Sequence, residues 1–265
     1  IDAIAFTQGP GLMGSLVVGT SFAKALALSI NKPLIPVHYM KAHIMAHFIE
    51  DDLIDIPTFP FLCLTVSGGH TQLVNVESPT QMKVLGQTID DAVGEAFDKA
   101  AKMLGLPYPG GPLIDKYAKK GDSLKFKFAK PQIAELNFSF SGVKTSILYF
   151  LRDQKNINPN FIADNLADLC ASIQHTLVEI LLQKIKKACA EHLYNEVAIA
   201  GGVAANSYLR HRLKEWGTLS NTKIFVPKFE YCTDNAAMIA ITGSYLLEIN
   251  KDGNQSSTAD PRLIW

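Results

Sequence analysis

The chain has 265 residues, of which 48% are hydrophobic, enough to build one large domain or two lobes. Its 25 basic and 25 acidic residues cancel, so no overall field attracts nucleic acid or an anionic membrane, and any such contact must depend on a local patch. No apolar run approaches the roughly 20 residues of a membrane span, and the four scattered cysteines lack a C-x-x-C pair. These features predict a cytoplasmic protein with reduced thiols and no membrane partner.

The first predicted elements are a strand, a glycine-rich turn and a helix. Ile1–Phe6 alternates as a strand does, Gln8–Gly14 is the turn, and Ser15–Ser29 suits a buried helix. Backbone N–H groups converge at such a turn and can hold an anion, although turns of this type are common and many bind nothing. Residues 32–37 predict the next strand.

A histidine-dense run follows, with His38, His43 and His47 inside residues 37–47. In a helix, His43 and His47 lie one turn apart on one face, as do Tyr39 and His43, and two imidazoles at this spacing can share a divalent metal. Histidines on a half-buried helix also serve as hydrogen-bonded core residues. The run alone therefore leaves a metal site and a structural role open.

A second glycine turn joins two predicted strands. After a polar connection from Glu50 to Pro60, residues 61–66 read as a buried strand and residues 72–77 as its partner, with Ser67–Thr71 between them. The glycines allow a tight hairpin whose backbone can approach a phosphate without an intervening Cβ. A purely structural hairpin is the alternative.

Acidic and proline-rich residues mark the next helices. Asp90–Lys99 begins a helix with acidic residues in its first turn, and Glu95 and Asp98 lie on one face. A solvated acidic face explains these two equally well. The helix ends near Gly105, and a rigid turn then leads into a helix that carries Asp115.

The connection from Lys116 to Lys130 is rich in lysine and includes Phe126 and Phe128. This pattern can bind a phosphate backbone and stack on bases, whereas a solvated loop is the alternative. Residues 160–192 follow as one or two amphipathic helices that we interpret as scaffold.

The last third contains a third strand and glycine-turn unit. Glu196–Asn206 reads as a buried strand, a turn and a helix start, where a nucleotide can lie. Thr222–Val226 is a further strand, and the next helix has Thr233 or Asp234 as its cap. A metal carboxylate is the other interpretation of Asp234. Strands alternating with helices predict an α/β fold with a nucleotide held between lobes.

The motifs, in this order, resemble the TsaD family, also called Gcp or YgjD, and the resemblance covers nearly the whole chain. It rests on the histidine run and on these segments: residues 8–12, 66–73, 91–99, 108–112, 138–145, 201–206 and 232–240.

The resemblance implies an actin-like, Hsp70-like two-lobed ATPase fold with duplicated RNase H-like lobes. The expected division assigns residues 1–37 and 236–265 to an incomplete first lobe that lacks the family's amino-terminal segment, and residues 38–235 to the second lobe. Most nucleotide and metal motifs then fall in the second lobe.

The resemblance also implies a function. Such enzymes transfer a threonylcarbamoyl group from threonylcarbamoyl-adenylate to the exocyclic amine of the adenosine beside the anticodon, in tRNAs reading codons that begin with adenine. The implied partners are tRNA and TsaB-like and TsaE-like proteins, with TsaC supplying the intermediate. The adenylate is already an activated acyl donor, so the site needs no protein nucleophile and must chiefly position both reactants and stabilise developing charge.

Site residues carried over by position form two sets. The expected nucleotide-binding set, for the adenylate or ATP, is Thr65, Val66, Ser67, Gly68, Gly69, Asp98, Gly111, Asp115 and Asn206. The expected ligands of one divalent metal, iron rather than zinc, are Tyr39, His43 and Asp234, and His47 becomes structural. Tyr39 stands where the family's first metal histidine is expected, and a phenol must lose a proton before it binds a cation.

Three alternatives are weighed against this function. A non-catalytic scaffold subunit of the same complex would keep the nucleotide fold and lose metal binding through Tyr39. A small-molecule kinase of the same fold would need a sugar-binding segment, which is not recognisable here. Proteolysis would need the glutamate base of H-E-x-x-H, and the histidine run has none.

Overall fold

The computed structural model describes residues 1–49, 55–249 and 253–265. The chain opens with a small parallel sheet and the helix that joins its strands, which are β1 (Ile4–Gly9), α1 (Met13–Ser29) and β2 (Leu34–His38). Ile4 pairs with Leu34 and Thr7 with Val37. Parallel strands require a crossover of this kind, so the predicted strand, turn, helix and strand are confirmed.

The histidine run is helical, as predicted. Helix α2 (Tyr39–Met45) starts directly after β2 and continues into a 3₁₀ turn at Ala46–Phe48. The polar connection predicted from Glu50 to Pro60 follows, and its first part, residues 50–54, lies outside the described residues.

A larger mixed sheet forms the centre of the molecule. Its strands are β3 (Phe61–Val66), β4 (Thr71–Val76), β5 (Met82–Gln87), β6 (Glu196–Ala200) and β7 (Lys223–Phe225). They lie in the order β5-β4-β3-β6-β7, with β3 antiparallel to β4 and parallel to β6. Strand β5 is absent from the predicted elements because Lys83 and Gly86 interrupt its apolar pattern.

Helices cover one face of this sheet. They are α3 (Val93–Met103), α4 (Gly110–Ala118), α5 (Ser141–Ile157), α6 (Phe161–Asp164), α7 (Leu166–His192) and α8 (Ser207–Ser220). Leu62 and Leu64 of β3 enter the core beneath these helices, whereas Phe61 and Cys63 enter a second core with Ile44 of α2. Both faces of β3 are therefore covered, which explains why the whole strand is apolar and buried.

The two phenylalanines of the lysine-rich connection are packed into the protein and are not available to stack on nucleic-acid bases. Phe128 is 6% exposed, and Phe126 packs against Phe150 and Phe161 at ring-centroid distances of 5.3 and 5.7 Å. The prediction that these aromatic rings stack on bases is wrong, because burial in the core stabilises them more than exposure in a loop. Lys125 also forms an ion pair of 2.6 Å with Asp168.

The chain returns to the small sheet through α9 (Phe229–Cys232) and α10 (Ala236–Glu248). Gly243 of α10 lies so close to β1 that an added Cβ would come within 2.6 Å of the Ala5 Cβ. Helix α10 is thus closely packed on β1 and brings the residues before it to the end of β2. None of the described helices has the length and apolar character required to span a membrane.

Candidate active site

Helices α2 and α10 bring Tyr39, His43 and Asp234 together. The Tyr39 hydroxyl donates a 2.5 Å hydrogen bond to Oδ1 of Asp234, and Nε2 of His43 lies 3.5 Å from the same oxygen. The rings of Tyr39 and His43 meet edge to face at 4.6 Å, as expected for positions i and i+4 of one helix. Tyr39 and His43 therefore both contact one oxygen of Asp234, which lies 195 positions after Tyr39 in the chain.

Asp234 is available for this contact because it does not cap α10. The side chain of Asn235 accepts the hydrogen bond from the Met238 N–H at 2.8 Å, so the prediction of Thr233 or Asp234 as cap is wrong. An N-cap side chain accepts from the N–H two or three residues later, and α10 begins at Ala236, so Asn235 is the capping position. The Asp234 side chain is 78% exposed, and its carboxylate contacts Tyr39 and His43 of α2.

The protonation of the cluster follows from its geometry. The nearby imidazole of His43 lowers the pKa of Asp234, against the opposing effect of burial, and the hydrogen bond from Tyr39 lowers it further. Burial, followed by the hydrogen bond to Asp234, raises the pKa of Tyr39 above its usual value. Asp234 is therefore a carboxylate and Tyr39 a protonated donor.

His43 has the features of a metal ligand. Its side chain is 1% exposed, and neither ring nitrogen has a hydrogen-bond partner among the described residues. Buried imidazole nitrogens are normally paired, and a divalent cation held by His43 and Asp234 would satisfy one of them. No group of three His, Cys, Asp or Glu side chains in the described ranges has metal-binding spacing, because the third member here is the Tyr39 phenol.

The neighbouring histidines have different environments. His47 is buried and its Nε2 lies 2.9 Å from the Ile199 carbonyl oxygen, and burial lowers the pKa of His47 to about 4. That hydrogen bond turns His47 toward β6, so it does not join His43 at the cluster. Burial also lowers the pKa of His38 to about 4, aided by the charge of Lys41.

The glycine turn between β3 and β4 lines a cavity with this cluster. The Ser67 N–H donates to the His70 carbonyl at 2.9 Å, and the Ser67 Oγ accepts from the His70 N–H at 3.0 Å. Apart from the adjacent residues of the turn, no atom of the described residues lies within 4 Å of a Cβ built on Gly68 or Gly69. Because protein packing does not require glycine there, the open backbone suits a ligand. The turn, Tyr39 and Asp234 line a cavity of about 1360 Å³.

Several of the other predicted nucleotide-binding residues form hydrogen bonds at the N-termini of helices α4 and α8. Oδ1 of Asp98 accepts from the N–H groups of Gly110 and Gly111, and the Asp115 carboxylate accepts from the hydroxyl and N–H of Ser207. Asn206 caps α8. Thr65 and Val66 are buried in β3. Asp98, Gly111, Asp115 and Asn206 are not among the residues that line the cavity beside the glycine turn.

Arg210 fixes the segment that precedes Asp234. Its guanidinium donates to the carbonyl oxygens of Ala204 and Pro227 at 2.6 and 3.0 Å and to the Cys232 Sγ at 3.0 Å, and lies 4.0 Å from the Phe229 ring centroid. The residue therefore ties the third glycine turn to α9. Sequence reasoning missed this role because none of these contacts is local in the chain.

His70 is a second residue that sequence reasoning left out, although it belongs to the glycine-turn motif. It lines the cavity with Gly68 and Gly69. Burial lowers the pKa of His70, and the nearby His43 lowers it further. The sequence signal that could have identified His70 is its place in the glycine-turn motif, Ser67–Thr71.

The sheet order, the helical layer and the cavity beside the small sheet define an α/β protein of the actin-like ATPase fold. The same fold is seen in HypF from T. kodakarensis, with a TM-score of 0.67 and 16% identity over 94% of this chain and 40% of that chain. Full-length HypF in its phosphate- and nucleotide-bound form gives a TM-score of 0.61 and 14% identity over 86% and 38% of the two chains. At these identities the likeness concerns the fold alone.

Sequence relatives identify the family. The family model described as TsaD, tRNA N6-adenosine threonylcarbamoyltransferase, matches residues 1–241. Relatives with that name include one from Christiangramia forsetii, 59% identical over 99% of this chain and 77% of its own length. Another, from Thermosipho africanus, is 46% identical over 99% of this chain and 78% of its own length. The chain belongs to the TsaD family of tRNA N6-adenosine threonylcarbamoyltransferases.

Proposed function

We propose that this chain transfers the threonylcarbamoyl group of threonylcarbamoyl-adenylate to the exocyclic amine of the adenosine next to the anticodon, in tRNAs reading codons that begin with adenine. In this step the amine nitrogen forms a bond to the carbamoyl carbon, the bond from that carbon to the phosphate oxygen breaks, AMP leaves, and the amine loses one proton. The observation that carries the proposal is the open glycine turn at the cavity that Tyr39 and Asp234 line, with the buried His43 behind them in contact with Asp234.

The residues of the cluster suit one divalent cation, held by Nε2 of His43 and the carboxylate of Asp234. Such a cation would act as a Lewis acid toward the carbonyl or phosphate oxygens. Iron is proposed over zinc, and Tyr39 is proposed to hold the Asp234 carboxylate in place through its hydroxyl. Histidine and carboxylate together bind several divalent metals, and elemental analysis of the purified protein identifies the ion.

The adenylate is proposed to bind in two parts. Ser67, Gly68 and Gly69 offer backbone N–H groups to the phosphate, because no side chain blocks the approach to the glycines. Thr65 and Val66 position this turn from β3. Asp98, Gly111, Asp115 and Asn206 order the starts of α4 and α8, along which the nucleoside is proposed to lie.

The division into lobes and the partners are also proposals. Residues 1–37 and 236–265 contribute the small sheet and α10, and residues 38–235 contribute the larger sheet and its helices. TsaB-like and TsaE-like proteins are proposed to act with this chain on tRNA. Because the substrate is tRNA, the proposed location is the cytoplasm.

The test is tRNA modification with the purified protein, its TsaB-like and TsaE-like partners and threonylcarbamoyl-adenylate. Threonylcarbamoyladenosine should form above a control without the chain, and its absence would contradict the function. Metal content is measured in parallel. His43→Ala and Asp234→Ala should lose both metal and activity, whereas His211→Ala and Asp153→Ala, at exposed positions, should keep both.

The same experiment addresses the scaffold alternative. Relatives that are 46–59% identical carry the transferase name, and the alternative is not favoured. If the protein holds no metal and the His43→Ala variant still supports tRNA modification by the partner proteins, the result would favour the scaffold alternative.

A further inference from the structure

A second cavity, of about 750 Å³, adjoins the cluster and has no role in the function proposed above. It lies between the last residues of the chain and strands β4 and β5, and His70 lines both this cavity and the first. Its volume falls in the range of small-ligand sites, about 300–1,000 Å³. His38 lines it as well, directly before Tyr39 in the chain. A ligand here would lie next to the candidate metal site.

Trp265 gives this cavity a fixed aromatic surface. Its Nε1 donates a 3.1 Å hydrogen bond to Oε1 of Gln72, and its ring lies 5.3 Å from that of His38. The Lys41 ammonium is 6.0 Å from the indole centroid. An aromatic ring anchored by a hydrogen bond beside a cation is an arrangement on which proteins stack unpaired bases.

Three further lining residues, Gln87, Asn137 and Arg262, carry polar groups suited to a nucleotide. Oδ1 of Asn137 accepts from the Gln87 N–H at 3.1 Å, and Oε1 of Gln87 accepts from the Gln72 amide at 3.4 Å. Both bonds use carbonyl oxygens, which leaves the amide NH₂ groups of Gln87 and Asn137 to donate to ring nitrogens of a base. Arg262 adds a positive charge suited to a backbone phosphate.

We propose that this cavity receives the target adenine of tRNA, stacked on the Trp265 indole and hydrogen-bonded by Gln87 and Asn137. The base then approaches the cluster from the side of His38 and His70, while the acyl donor occupies the first cavity. The inference rests on the tRNA-modifying function and adds the binding site of the acceptor base.

Fluorescence of Trp265 tests the contact directly. The chain has two tryptophans, so Trp216→Phe leaves Trp265 as the sole reporter. The protein is titrated to saturation with an anticodon stem-loop that carries adenosine at the target position, or with the same loop made abasic there. A dye on the stem reports binding by anisotropy. The adenosine loop should quench Trp265, and the abasic loop should bind without quenching.

Equal quenching by both loops, or binding of neither, would overturn the proposal. If the Trp216→Phe protein still forms threonylcarbamoyladenosine while both loops quench equally, the function stands and the base binds elsewhere. If no product forms with the unaltered protein either, the function itself fails. The two failures are therefore distinguishable.

Kinetics provide a second test. Trp265→Ala should raise the KM for tRNA about tenfold, because the target base loses the ring on which it stacks. Trp265→Phe should restore most of the affinity, and the KM for the acyl donor should not change in either variant. A fall in kcat alone, or equal loss in the Ala and Phe variants, would indicate a structural role and contradict the proposal.

Discussion

The hydroxyl of Tyr39 donates a 2.5 Å hydrogen bond to the carboxylate of Asp234 from the other end of the chain. The same oxygen lies 3.5 Å from Nε2 of His43. Tyr39 stands where the family resemblance leads one to expect a histidine. Because its pKa is raised, the phenol orients the carboxylate more readily than it coordinates a cation.

Tyr39→Phe should therefore weaken metal binding without abolishing it. A hydrogen bond to a charged group contributes about 1.5–3 kcal/mol, so we expect roughly a tenfold or larger loss of affinity. Competition with a chelator, for Fe²⁺ and for Zn²⁺, measures the effect. Tyr39→His should bind both ions more tightly, because it adds an imidazole ligand.

The control for Tyr39→Phe is Tyr149→Phe, at an exposed position on α5, which should leave affinity unchanged. Complete loss of metal in Tyr39→Phe would identify the phenol as a direct ligand. Unchanged affinity would show that its hydrogen bond does not orient Asp234.

Local patterns in the sequence predicted the elements that this cluster needs. The histidine run gave a helix with Tyr39 and His43 on one face, and the glycine motif gave the hairpin from Ser67 to His70. These features depend on spacing and on turn chemistry within a few residues, which a sequence displays directly.

Contacts between distant segments were not predictable in the same way. The bond between Tyr39 and Asp234 was implied only by family resemblance, and the one from Trp265 to Gln72 by nothing in the sequence. The cap of α10 was misassigned because Thr233, Asp234 and Asn235 all have capping side chains, and only the helix start decides among them.

Arg210 is expected to position Asp234 through α9. Arg210→Met should lower the free energy of unfolding by about 2–3 kcal/mol, because it leaves the carbonyl oxygens of Ala204 and Pro227 without their charged donor. It should also weaken metal binding, since the segment before Asp234 loses its anchor. Urea denaturation and chelator competition measure the two effects.

Arg152→Met is the matched control for Arg210. Its guanidinium is exposed and pairs only with the adjacent Asp153 among the described ion pairs. Its unfolding free energy should stay within about 0.5 kcal/mol of the parent protein. If Arg210→Met destabilises the fold but leaves metal affinity intact, Arg210 supports the fold without positioning Asp234.

Asp90 should make stability depend on acidic pH. Burial alone would raise its pKa, but hydrogen bonds from Ser139, Phe140 and Ser141 at the start of α5 lower the pKa below its ordinary value of 3.8. The unfolded state therefore binds the proton more readily. The stabilisation is complete above pH 3.8 and is lost as pH falls through the folded-state pKa.

Asp90→Asn tests this dependence. At neutral pH it should reduce the free energy of unfolding by about 1–2 kcal/mol, the usual effect of losing a helix-capping carboxylate. Its urea midpoint should then fall less steeply than that of the parent protein as the pH drops below 3.8. Asp153→Asn, at an exposed site, should reproduce the parent curve, and a parent-like slope for Asp90→Asn would exclude Asp90 as the source.

Alanine substitutions at Gly68 and Gly94 should distinguish an effect on ligand binding from an effect on folding stability. A Cβ on Gly68 meets no atom of the described residues within 4 Å apart from its chain neighbours, whereas a Cβ on Gly94 would lie 2.5 Å from the Ser67 carbonyl oxygen. Gly68→Ala should keep its stability, or gain about 0.4–1 kcal/mol from reduced unfolded-state entropy, while its KM for threonylcarbamoyl-adenylate rises. Gly94→Ala should lose about 1–3 kcal/mol of stability through overpacking. Thermal unfolding and the transfer assay together decide, and a normal KM in a stable Gly68→Ala protein would show that the acyl donor does not approach this turn.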